Sequence, residues 1–415
     1  MTLKSFSQHL TEASTAGKNI HMTHLEDQVL YGGVNGAREA IAALRALRDM
    51  LAGSATKSRD VTIKWDGAPA IFCGIDPTDG KFFVAKKGIF NKNPKVYKTE
   101  EDVKADTSGD LQKKLLIALE YLSKLGITGI IQGDIMFTTG DVKHETIEGE
   151  SFLTFQPNTI VYAVPSKTDL AGAIAAAKIG VVFHTSYSGT SFENLTASYG
   201  VDVKKFKPSR DVWYRDARVQ DLSGKASLTK EETAEVTKAI SEAGKIFSQI
   251  ASSTLKEIES NPDLASQLET YNNSIIRKGE RIKDTERHVE GLIAWFNSKY
   301  DKERAEKKTE KGKAAVSARE DEFMSFFSLE NLDNLKKIYD LQNALVSAKE
   351  LIIAKLNQLA KMNTFIKTNN GFKVTGQEGF VAIDHESGKA VKLVDRLEFS
   401  YANFSPDVIK GWQKA

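Results

Sequence analysis

The sequence is poor in cysteine and lacks long apolar runs. Cys73 is the single cysteine among 415 residues, which excludes an intramolecular disulfide and a zinc site built from several thiolates. No segment approaches the roughly 18 to 20 consecutive apolar residues of a membrane-spanning helix. The first residues also lack the apolar core of a secretory signal. We therefore expect a soluble protein of the cytoplasm with no membrane partner.

An excess of charge of one sign is missing as well. The chain has 57 basic and 55 acidic residues, a net charge of +2. Such a balance says nothing about nucleic acid, because only a local cluster of Lys and Arg would indicate a polyanionic partner. Hydrophobic residues make up 41% of the chain, which is ample for a folded core.

Composition divides the chain into four predicted segments. Residues 1–56 form an N-terminal helical segment, and residues 57–225 mix short β-rich runs with helices. Residues 226–367 contain one proline and repeated helical patterns, which predicts a large helical insertion. Residues 368–415 return to strands and form a hairpin. The predicted fold class is therefore α+β, with sheets interrupted by the helical insertion.

Two local patterns support this division. In the N-terminal segment, apolar residues recur at helical spacing, and Asn35 is the predicted N-cap of that helix. The apolar positions are Ala37, Ile41, Leu44, Leu47 and Leu51. In the C-terminal segment, residues 386–389 are the predicted turn between two strands.

The most informative stretch is VTIKWDGAPAIFCGI, which begins at Val61. It places Lys64 at the end of a predicted strand, followed closely by an acidic residue and a glycine. A lysine acts as a covalent nucleophile only when its amine is neutral, so neighbouring cations must depress its pKa. Lys86, Lys87 and Lys392 are candidates for those cations. Gly67 is predicted to let phosphate groups approach the backbone.

Lys64-Trp65-Asp66-Gly67 resembles the Lys-x-Asp-Gly nucleophile motif of ATP-dependent DNA and RNA ligases and mRNA capping enzymes. Further segments resembling that family's motifs follow in its order, each on a predicted strand. They are Phe83–Gly88, Gly133–Met136, Glu378–Val381 and Val391–Val394. The resemblance covers about residues 60–165 and 375–400. It implies a ligase-type nucleotidyltransferase fold with ATP-grasp-like antiparallel sheets.

The resemblance also implies roles for the matched residues. Lys64 would attack the α-phosphorus of ATP, release pyrophosphate and become a lysine–AMP adduct. Glu378 and Asp134 would hold Mg²⁺. The nucleotide would be bound by Asp66, Gly67, Lys86, Lys87, Asp134, Tyr162 and Lys392. For Tyr162, stacking on adenine competes with a role in the hydrophobic core.

The chain departs from the family pattern in several places. Pro69 stands where DNA ligases and capping enzymes have an arginine, Val394 replaces a second lysine, and Lys87 replaces a common arginine. The helical insertion explains why Asp134 and Glu378 are unusually far apart in the chain. Only 23 residues follow Lys392, too few for an OB-fold domain, which favours an RNA-ligase-like member. The whole arrangement looks like uncharacterised tailed-phage proteins, which would place it in the host cytoplasm.

These observations lead to one hypothesis and two alternatives. The first is an ATP-dependent polynucleotide ligase that uses ATP and Mg²⁺ and acts on nucleic-acid ends, RNA ends before DNA nicks. The second is an adenylyltransferase of the same fold with an acceptor other than nucleic acid. The third is a degenerate, non-catalytic nucleic-acid-binding protein, which Pro69 and Val394 keep open. The sequence does not predict an oligomeric state.

Two further segments have competing interpretations. His21 and His24, followed by Glu26 and Asp27, have the composition of a metal site, although capping and local hydrogen bonds explain them as well. The stretch 201–219 interleaves basic and aromatic side chains, which suits either single-stranded nucleic acid or a connector with buried aromatics. Its basic residues are Lys204, Lys205, Lys207, Arg210 and Arg215, and its aromatic residues are Phe206, Trp213 and Tyr214. His144 and His184 are isolated and receive no role.

Overall fold

A computed structural model of the protein describes residues 23–54, 59–218, 227–359, 362–384 and 390–413. It confirms the α+β class, with 50% helix and 22% strand. The predicted turn at residues 386–389, like the first histidine of the N-terminal pair, His21, lies outside the described residues.

The strands assemble into separate sheets. In chain order they are β1 (Arg59–Lys64), β2 (Ala70–Ile75), β3 (Phe82–Ala85), β4 (Ile130–Thr138), β5 (Lys143–Ile147), β6 (Glu150–Phe155), β7 (Ile160–Pro165), β8 (Ile179–Ser188), β9 (Thr196–Tyr199), β10 (Val212–Asp216), β11 (Asn363–Thr368), β12 (Gly371–Val374), β13 (Gly379–Asp384), β14 (Ala390–Leu393) and β15 (Val408–Ile409). The first sheet has the order β1-β13-β14. The second has the order β10-β8-β4-β2-β3, with β9 on β8, and the third has the order β12-β11-β7-β6-β5, with β15 on β11. Apart from the parallel pair β10 and β8, these pairings are antiparallel.

The helices occupy the N-terminal segment, the connections between strands and the long central segment. They are α1 (Gln28–Tyr31), α2 (Gly33–Leu51), α3 (Glu100–Asp106), α4 (Gly109–Leu122), α5 (Asp169–Ala176), α6 (Lys230–Phe247), α7 (Ser252–Ser260), α8 (Pro262–Ile276), α9 (Thr285–Glu306), α10 (Glu310–Ser325), α11 (Leu329–Asn357) and α12 (Arg396–Phe404). No helix in these described ranges is long and apolar enough to cross a membrane.

Helix α2 buries the apolar residues that the sequence placed on one face, from Ala37 to Leu51. Its beginning differs from the prediction. The helix starts at Gly33, so Asn35 lies inside the first turn instead of capping it. The reason is that Gly33 has a φ of +51°, a conformation that glycine adopts without a Cβ penalty, and it turns the chain out of α1 before Asn35 is reached.

The central helices share one hydrophobic core with α2 and the first sheet. Leu268 of α8, Phe296 of α9, Leu345 of α11, Phe380 of β13 and Leu393 of β14 are all buried in it. The segment predicted as an insertion therefore packs directly against the strands that carry two of the matched motifs.

The first and second sheets meet at β1. The amide of Ile63 donates to the carbonyl oxygen of Ala217 at 2.7 Å, and Thr62 forms a bridge with Arg218. Ala217 in turn donates its amide to Phe183 of β8 at 2.9 Å. This junction places the end of β1, where Lys64 lies, against the second sheet.

Candidate active site

The strand register of the first sheet brings distant residues around Lys64. Lys64 lies opposite Gly379, the residue after Glu378, and its ammonium donates a hydrogen bond to the Glu378 carboxylate. Val381 lies opposite both Thr62 and Lys392. Because side chains alternate along strands, Thr62, Lys64 and Lys392 share one face of the sheet. A lysine, a carboxylate and a second lysine thus meet there.

The second sheet contributes Asp134 of β4 to the same place. Burial raises the pKa of Asp134 to about 7, although the positive charges of Lys64 and Lys87 act in the opposite direction. Burial also raises the pKa of Glu378 to about 7, again against the attraction of Lys64. For Lys392, burial and the charge of Lys64 both lower the pKa. We call Lys64, Asp134, Glu378 and Lys392 the Lys64 cluster.

His184 joins this cluster although the sequence gave no reason to select it. Its Nε2 atom lies 3.6 Å from a carboxylate oxygen of Asp134, and its Nδ1 atom lies 2.7 Å from the hydroxyl of Thr185. Burial lowers the pKa of His184 to about 4, and Lys64 adds to the effect, so the ring is neutral at pH 7. The signal for His184 lies in the pairing of β8 with β4, which is invisible to a local sequence pattern.

The two lysines of the Phe83–Gly88 motif have different surroundings. Lys86 is engaged elsewhere, since its ammonium lies 3.6 Å from Asp106 and 5.8 Å from the ring centre of Tyr97. Lys87 is exposed at the start of a short 3-10 helix and is close enough to Asp134 to lower its pKa. Lys87 is therefore the lysine of this motif that lies near Asp134, and the nucleotide contacts predicted for Lys86 and Lys87 both stay predictions.

Asp66 is committed to the protein's own backbone. Its Oδ1 atom accepts from the amide group of Asn158 at 2.8 Å. Its Oδ2 atom accepts from the backbone amides of Thr159 and Ile160, at 2.6 and 2.8 Å, and from the Thr159 hydroxyl at 2.7 Å. With both oxygens occupied, this buried carboxylate fixes the entry to β7. The predicted nucleotide contact of Asp66 is replaced by a structural role.

Tyr162 belongs to the hydrophobic core. It is completely buried, with its ring centre 5.1 Å from that of Trp65 and 5.4 Å from that of Phe155. Its hydroxyl oxygen accepts a hydrogen bond from the amide of Asp66 at 2.7 Å. A ring packed in this way has no free face for adenine, so the prediction that Tyr162 binds the nucleotide is wrong and its alternative, a core role, is right.

Gly67 is required by the second sheet. A Cβ atom at this position would lie 2.4 Å from the Cβ of Asp134 and 2.9 Å from the sulfur of Met136. The next residues, Ala68 and Pro69, are joined by a cis peptide and hydrogen-bond to Ile135 of β4. Gly67 thus approaches β4 closely, and the predicted approach of a phosphate group to its backbone stays a prediction. Any larger residue would displace Asp134.

Two helices position the loop that precedes Glu378. A carboxylate oxygen of Glu398, in α12, accepts from the amide of Gly376 at 2.8 Å and from the hydroxyl of Thr375 at 2.5 Å. The side-chain oxygen of Asn357, the last residue of α11, accepts from the amide of Gln377 at 3.2 Å. The helical segment therefore reaches the candidate active site through Asn357.

A second group of charges lies on the other side of Lys392, and we call Glu26, Asp27, Lys349 and Arg396 the buried charge cluster. Lys349 donates to both carboxylate oxygens of Glu26 at 2.8 Å, and Arg396 lies 3.0 Å from both oxygens of Asp27. Although burial acts to raise it, Lys349 and Arg396 hold the pKa of Glu26 at about 2. The amide of Leu25, the residue before Glu26, donates a hydrogen bond to the carbonyl of Lys392 at 3.3 Å. The buried charge cluster is therefore adjacent to the Lys64 cluster.

The buried charge cluster explains the two carboxylates of the N-terminal histidine segment, of which His21 lies outside the described residues. Both carboxylates there are hydrogen-bonded to protein cations, and burial lowers the pKa of His24 to about 3. Among the described residues, no group of three or more His, Cys, Asp or Glu side chains is placed to hold a metal ion by itself. The segment therefore functions as a framework through its hydrogen bonds.

The basic and aromatic stretch after residue 201 has its aromatic rings inside the protein. Trp213 is buried, and the ring of Phe206 lies 5.5 Å from that of Phe183 and 5.3 Å from that of Tyr214. The connector with buried aromatics is the interpretation that the structure supports. Phe206 and Tyr214 remain half-buried, so the rings of this stretch are packed to different degrees.

Comparison with known proteins gives one match. The family model of DUF6267, described as a family of unknown function, matches residues 19–407. No curated protein and no solved structure matches the chain. The match includes the N-terminal segment, the central helices and all residues of the Lys64 cluster. The protein is a member of the DUF6267 family.

Proposed function

We propose that this protein is an ATP-dependent nucleotidyltransferase of the ligase type, in which Lys64 carries AMP. The observation that supports the proposal is the convergence of Lys64, Asp134, Glu378 and Lys392, which come from distant parts of the chain. Antiparallel sheets that meet at such a lysine fit the nucleotidyltransferase fold implied by the Lys-x-Asp-Gly motif.

Lys64 is the nucleophile of the proposed reaction. Its neutral amine attacks the α-phosphorus of ATP, so that a nitrogen–phosphorus bond forms and the bond to the bridging oxygen of the β-phosphate breaks. Pyrophosphate leaves, and the surplus proton of the amine passes to Glu378. Glu378 is suited to accept it because it is hydrogen-bonded to Lys64 and its pKa is about 7. The product is a lysine–AMP phosphoramidate.

The neighbouring charges have complementary tasks. Lys392 and Lys87 stabilise the negative charge that develops on the phosphate oxygens. Asp134 accepts hydrogen bonds from the ribose. Asp134 and Glu378 are also hard oxygen donors whose ionised forms are poorly compensated, which fits Mg²⁺ held by two carboxylates and substrate phosphates. When bound, Mg²⁺ would neutralise phosphate charge.

The acceptor that we propose is a polynucleotide end, RNA before DNA. The 5′-phosphate of the end would attack the phosphorus of the AMP, forming a pyrophosphate linkage and releasing Lys64. A 3′-hydroxyl would then attack the phosphorus of that 5′-phosphate, forming the phosphodiester and releasing AMP. A gel assay of matched RNA and DNA nicks tests this step. Faster sealing of the DNA nick would overturn the RNA preference, and clean labelling of Lys64 without sealing of any end would favour a different acceptor.

The decisive experiment is incubation with Mg²⁺ and α-labelled ATP or GTP. We expect acid-labile label on the protein from ATP, and complete loss of label in Lys64→Ala. Lys95→Ala is the matched control, because Lys95 is exposed, pairs with Asp106 at 2.7 Å and should leave labelling intact. Undiminished labelling of Lys64→Ala would refute the assignment. Absence of label from the wild type across metals and pH would favour a non-catalytic protein.

A further inference from the structure

Helix α12 and the residues after it expose large aromatic side chains. Phe404 is 56% exposed, Trp412 is 64% exposed and Tyr401 is 37% exposed. Tyr401 and Phe404 are three residues apart in the helix, so their rings lie on the same face. Exposed rings of this size in one place usually mark an interaction surface.

A cation lies over each of these rings. The guanidinium of Arg277 is 5.0 Å from the ring centre of Phe404, and the ammonium of Lys373 is 5.0 Å from that of Tyr401. The ammonium of Lys410 is 5.8 Å from the ring centre of Trp412. We call these six residues the aromatic–basic surface.

The members of this surface are held together by the fold. Lys410 donates a hydrogen bond to the carbonyl of Asn403, in α12, at 2.7 Å. Below them, Ile366, Ala402 and Val408 pack into a small core that joins α12 to β11 and β15. The surface is therefore a continuous feature built on secondary structure.

The six residues of the aromatic–basic surface include three cations and no acidic side chain. Within residues 396–413, the acidic side chains are Glu398, which accepts hydrogen bonds from the Glu378 loop, and the exposed Asp407. Against Asp407 stand Arg277, Lys373 and Lys410. Aromatic faces flanked by cations match a polyanion whose bases are free to stack.

The surface is also connected to the candidate active site. The ammonium of Lys392 lies 5.5 Å from the ring centre of Phe399, in the first half of α12. Glu398, the neighbouring residue, holds the loop that carries Glu378. Phe399 and Glu398 face the candidate active site, whereas Tyr401 and Phe404 lie on the opposite side of α12. The same helix therefore carries the aromatic–basic surface on one side and contacts of the Lys64 cluster on the other.

We propose that the aromatic–basic surface binds single-stranded nucleic acid. Bases of the strand stack on Tyr401, Phe404 and Trp412. Its phosphates lie near Arg277, Lys373 and Lys410. A duplex is a poorer ligand, because its base faces are already stacked on each other. The idea that the bound strand goes on to react at Lys64 rests on the proposed function. The binding itself needs neither ATP nor adenylylation.

The test is fluorescence anisotropy of the full chain with labelled oligouridylate, oligothymidylate and duplex DNA. We expect tight binding of the single strands, and a loss of affinity of about 5- to 100-fold for each of Tyr401→Ala, Phe404→Ala and Trp412→Ala. Trp412→Phe should retain most of the affinity, since a phenyl ring still stacks. Leu329→Ala is the control, because Leu329 is 88% exposed at the start of α11 and should have no effect.

Several results would overturn the inference. The first is that the wild type does not bind the single strands. The second is that all three alanine variants bind them with the same affinity as the wild type. The third is that the protein binds anionic lipid vesicles in place of oligonucleotides. Loss of binding in Lys204→Glu with no loss in the aromatic variants would move the site to residues 201–215. Circular dichroism guards against misfolding, and quenching of Trp412 fluorescence by oligothymidylate reports stacking directly.

Self-labelling with ATP separates the two proposals. Normal labelling of Lys64 together with unchanged oligonucleotide binding in the alanine variants would refute the surface alone. Oligonucleotide binding that depends on the aromatic residues, without any labelling of Lys64, would refute the nucleotidyltransferase alone.

Discussion

Two groups of charges lie on either side of Lys392, and they are arranged differently. In the buried charge cluster, Lys349 and Glu26 are 1% and 3% exposed, and each is hydrogen-bonded to the other. In the Lys64 cluster, Lys64 is 34% exposed, and burial raises the pKa of both Asp134 and Glu378 to about 7. In the buried charge cluster, Lys349 and Arg396 hold Glu26 ionised, although burial raises the pKa of Asp27 to about 7 against the charge of Arg396. The Lys64 cluster differs in that its lysine is open to solvent and both of its carboxylates have a raised pKa.

The difference separates stability from chemistry. A buried charge that is fully paired holds elements together, and removal of its partner is strongly destabilising. A group whose pKa is shifted towards neutrality beside a lysine is typical of a functional site. The buried charge cluster should therefore govern folding, and the Lys64 cluster should govern reactivity with little effect on folding.

The largest expected effect is on stability, in Lys349→Met. This change leaves Glu26 buried without its main partner, and we expect a loss of about 3–5 kcal/mol in the free energy of unfolding. Lys336→Met is the matched control on the same helix, because Lys336 pairs with the exposed Glu286 at 2.7 Å. Its loss should be about 0–1 kcal/mol. Equal stability of the two variants in urea unfolding would show that the buried charge cluster is not a framework.

The next effect is on reactivity, in Glu378→Gln. We expect self-labelling to fall by about 10²–10³-fold. Gln keeps the size of the side chain but neither accepts the proton of Lys64 nor offers an anionic oxygen to Mg²⁺. A labelling rate of Glu378→Gln equal to that of the wild type would contradict the role of Glu378.

The same variant predicts a change in stability with a defined sign. Because folding raises the pKa of Glu378, the wild type loses stability as the pH rises from the unfolded value of about 4.5 towards 7. Glu378→Gln cannot ionise and should show a smaller loss, the remainder coming from carboxylates such as Asp134, whose pKa is also raised to about 7. Melting temperatures of both proteins across this range provide the measurement.

The smallest effect is expected for Asn357→Ala. Asn357 ends α11, the helix that carries Lys349, and it contacts the loop that precedes Glu378. The variant loses the hydrogen bond to Gln377, so the Glu378 loop is less well positioned, and self-labelling should fall roughly tenfold. The control is Asn343→Ala, in the same helix α11, which loses a 2.8 Å hydrogen bond to the carbonyl of Ile282. This variant should be similarly destabilised but fully active. Equal labelling rates would show that α11 does not position Glu378.

The sequence was sufficient for features that depend on neighbouring residues. Apolar spacing located α2, and alternating apolar residues with a lysine at the strand end located β1. The start of α2 was missed because it depends on the conformation of Gly33 after α1. The order of motifs, known through the resemblance, named residues that the strand register then brought to Lys64.

Features that depend on distant partners were beyond the sequence. The role of Asp66 follows from the backbone entering β7, and that of Gly67 from the close approach of β4. Tyr162 required knowledge of the rings around it. The exposed rings near Phe404 were likewise indistinguishable, by composition alone, from the buried rings near Trp213.

The pairing of β1 with β13 has a consequence for synthesis on the ribosome. Lys64 lies opposite Gly379, which is translated 315 residues later. At about 5–20 residues per second, this interval lasts roughly 15 to 60 seconds. Throughout it, Lys64 has neither Glu378 nor Lys392 beside it, and the edge of β1 lacks its partner strand. A nascent chain therefore lacks the complete Lys64 cluster until translation has passed both residues, and the unpaired edge of β1 is open to aggregation before then.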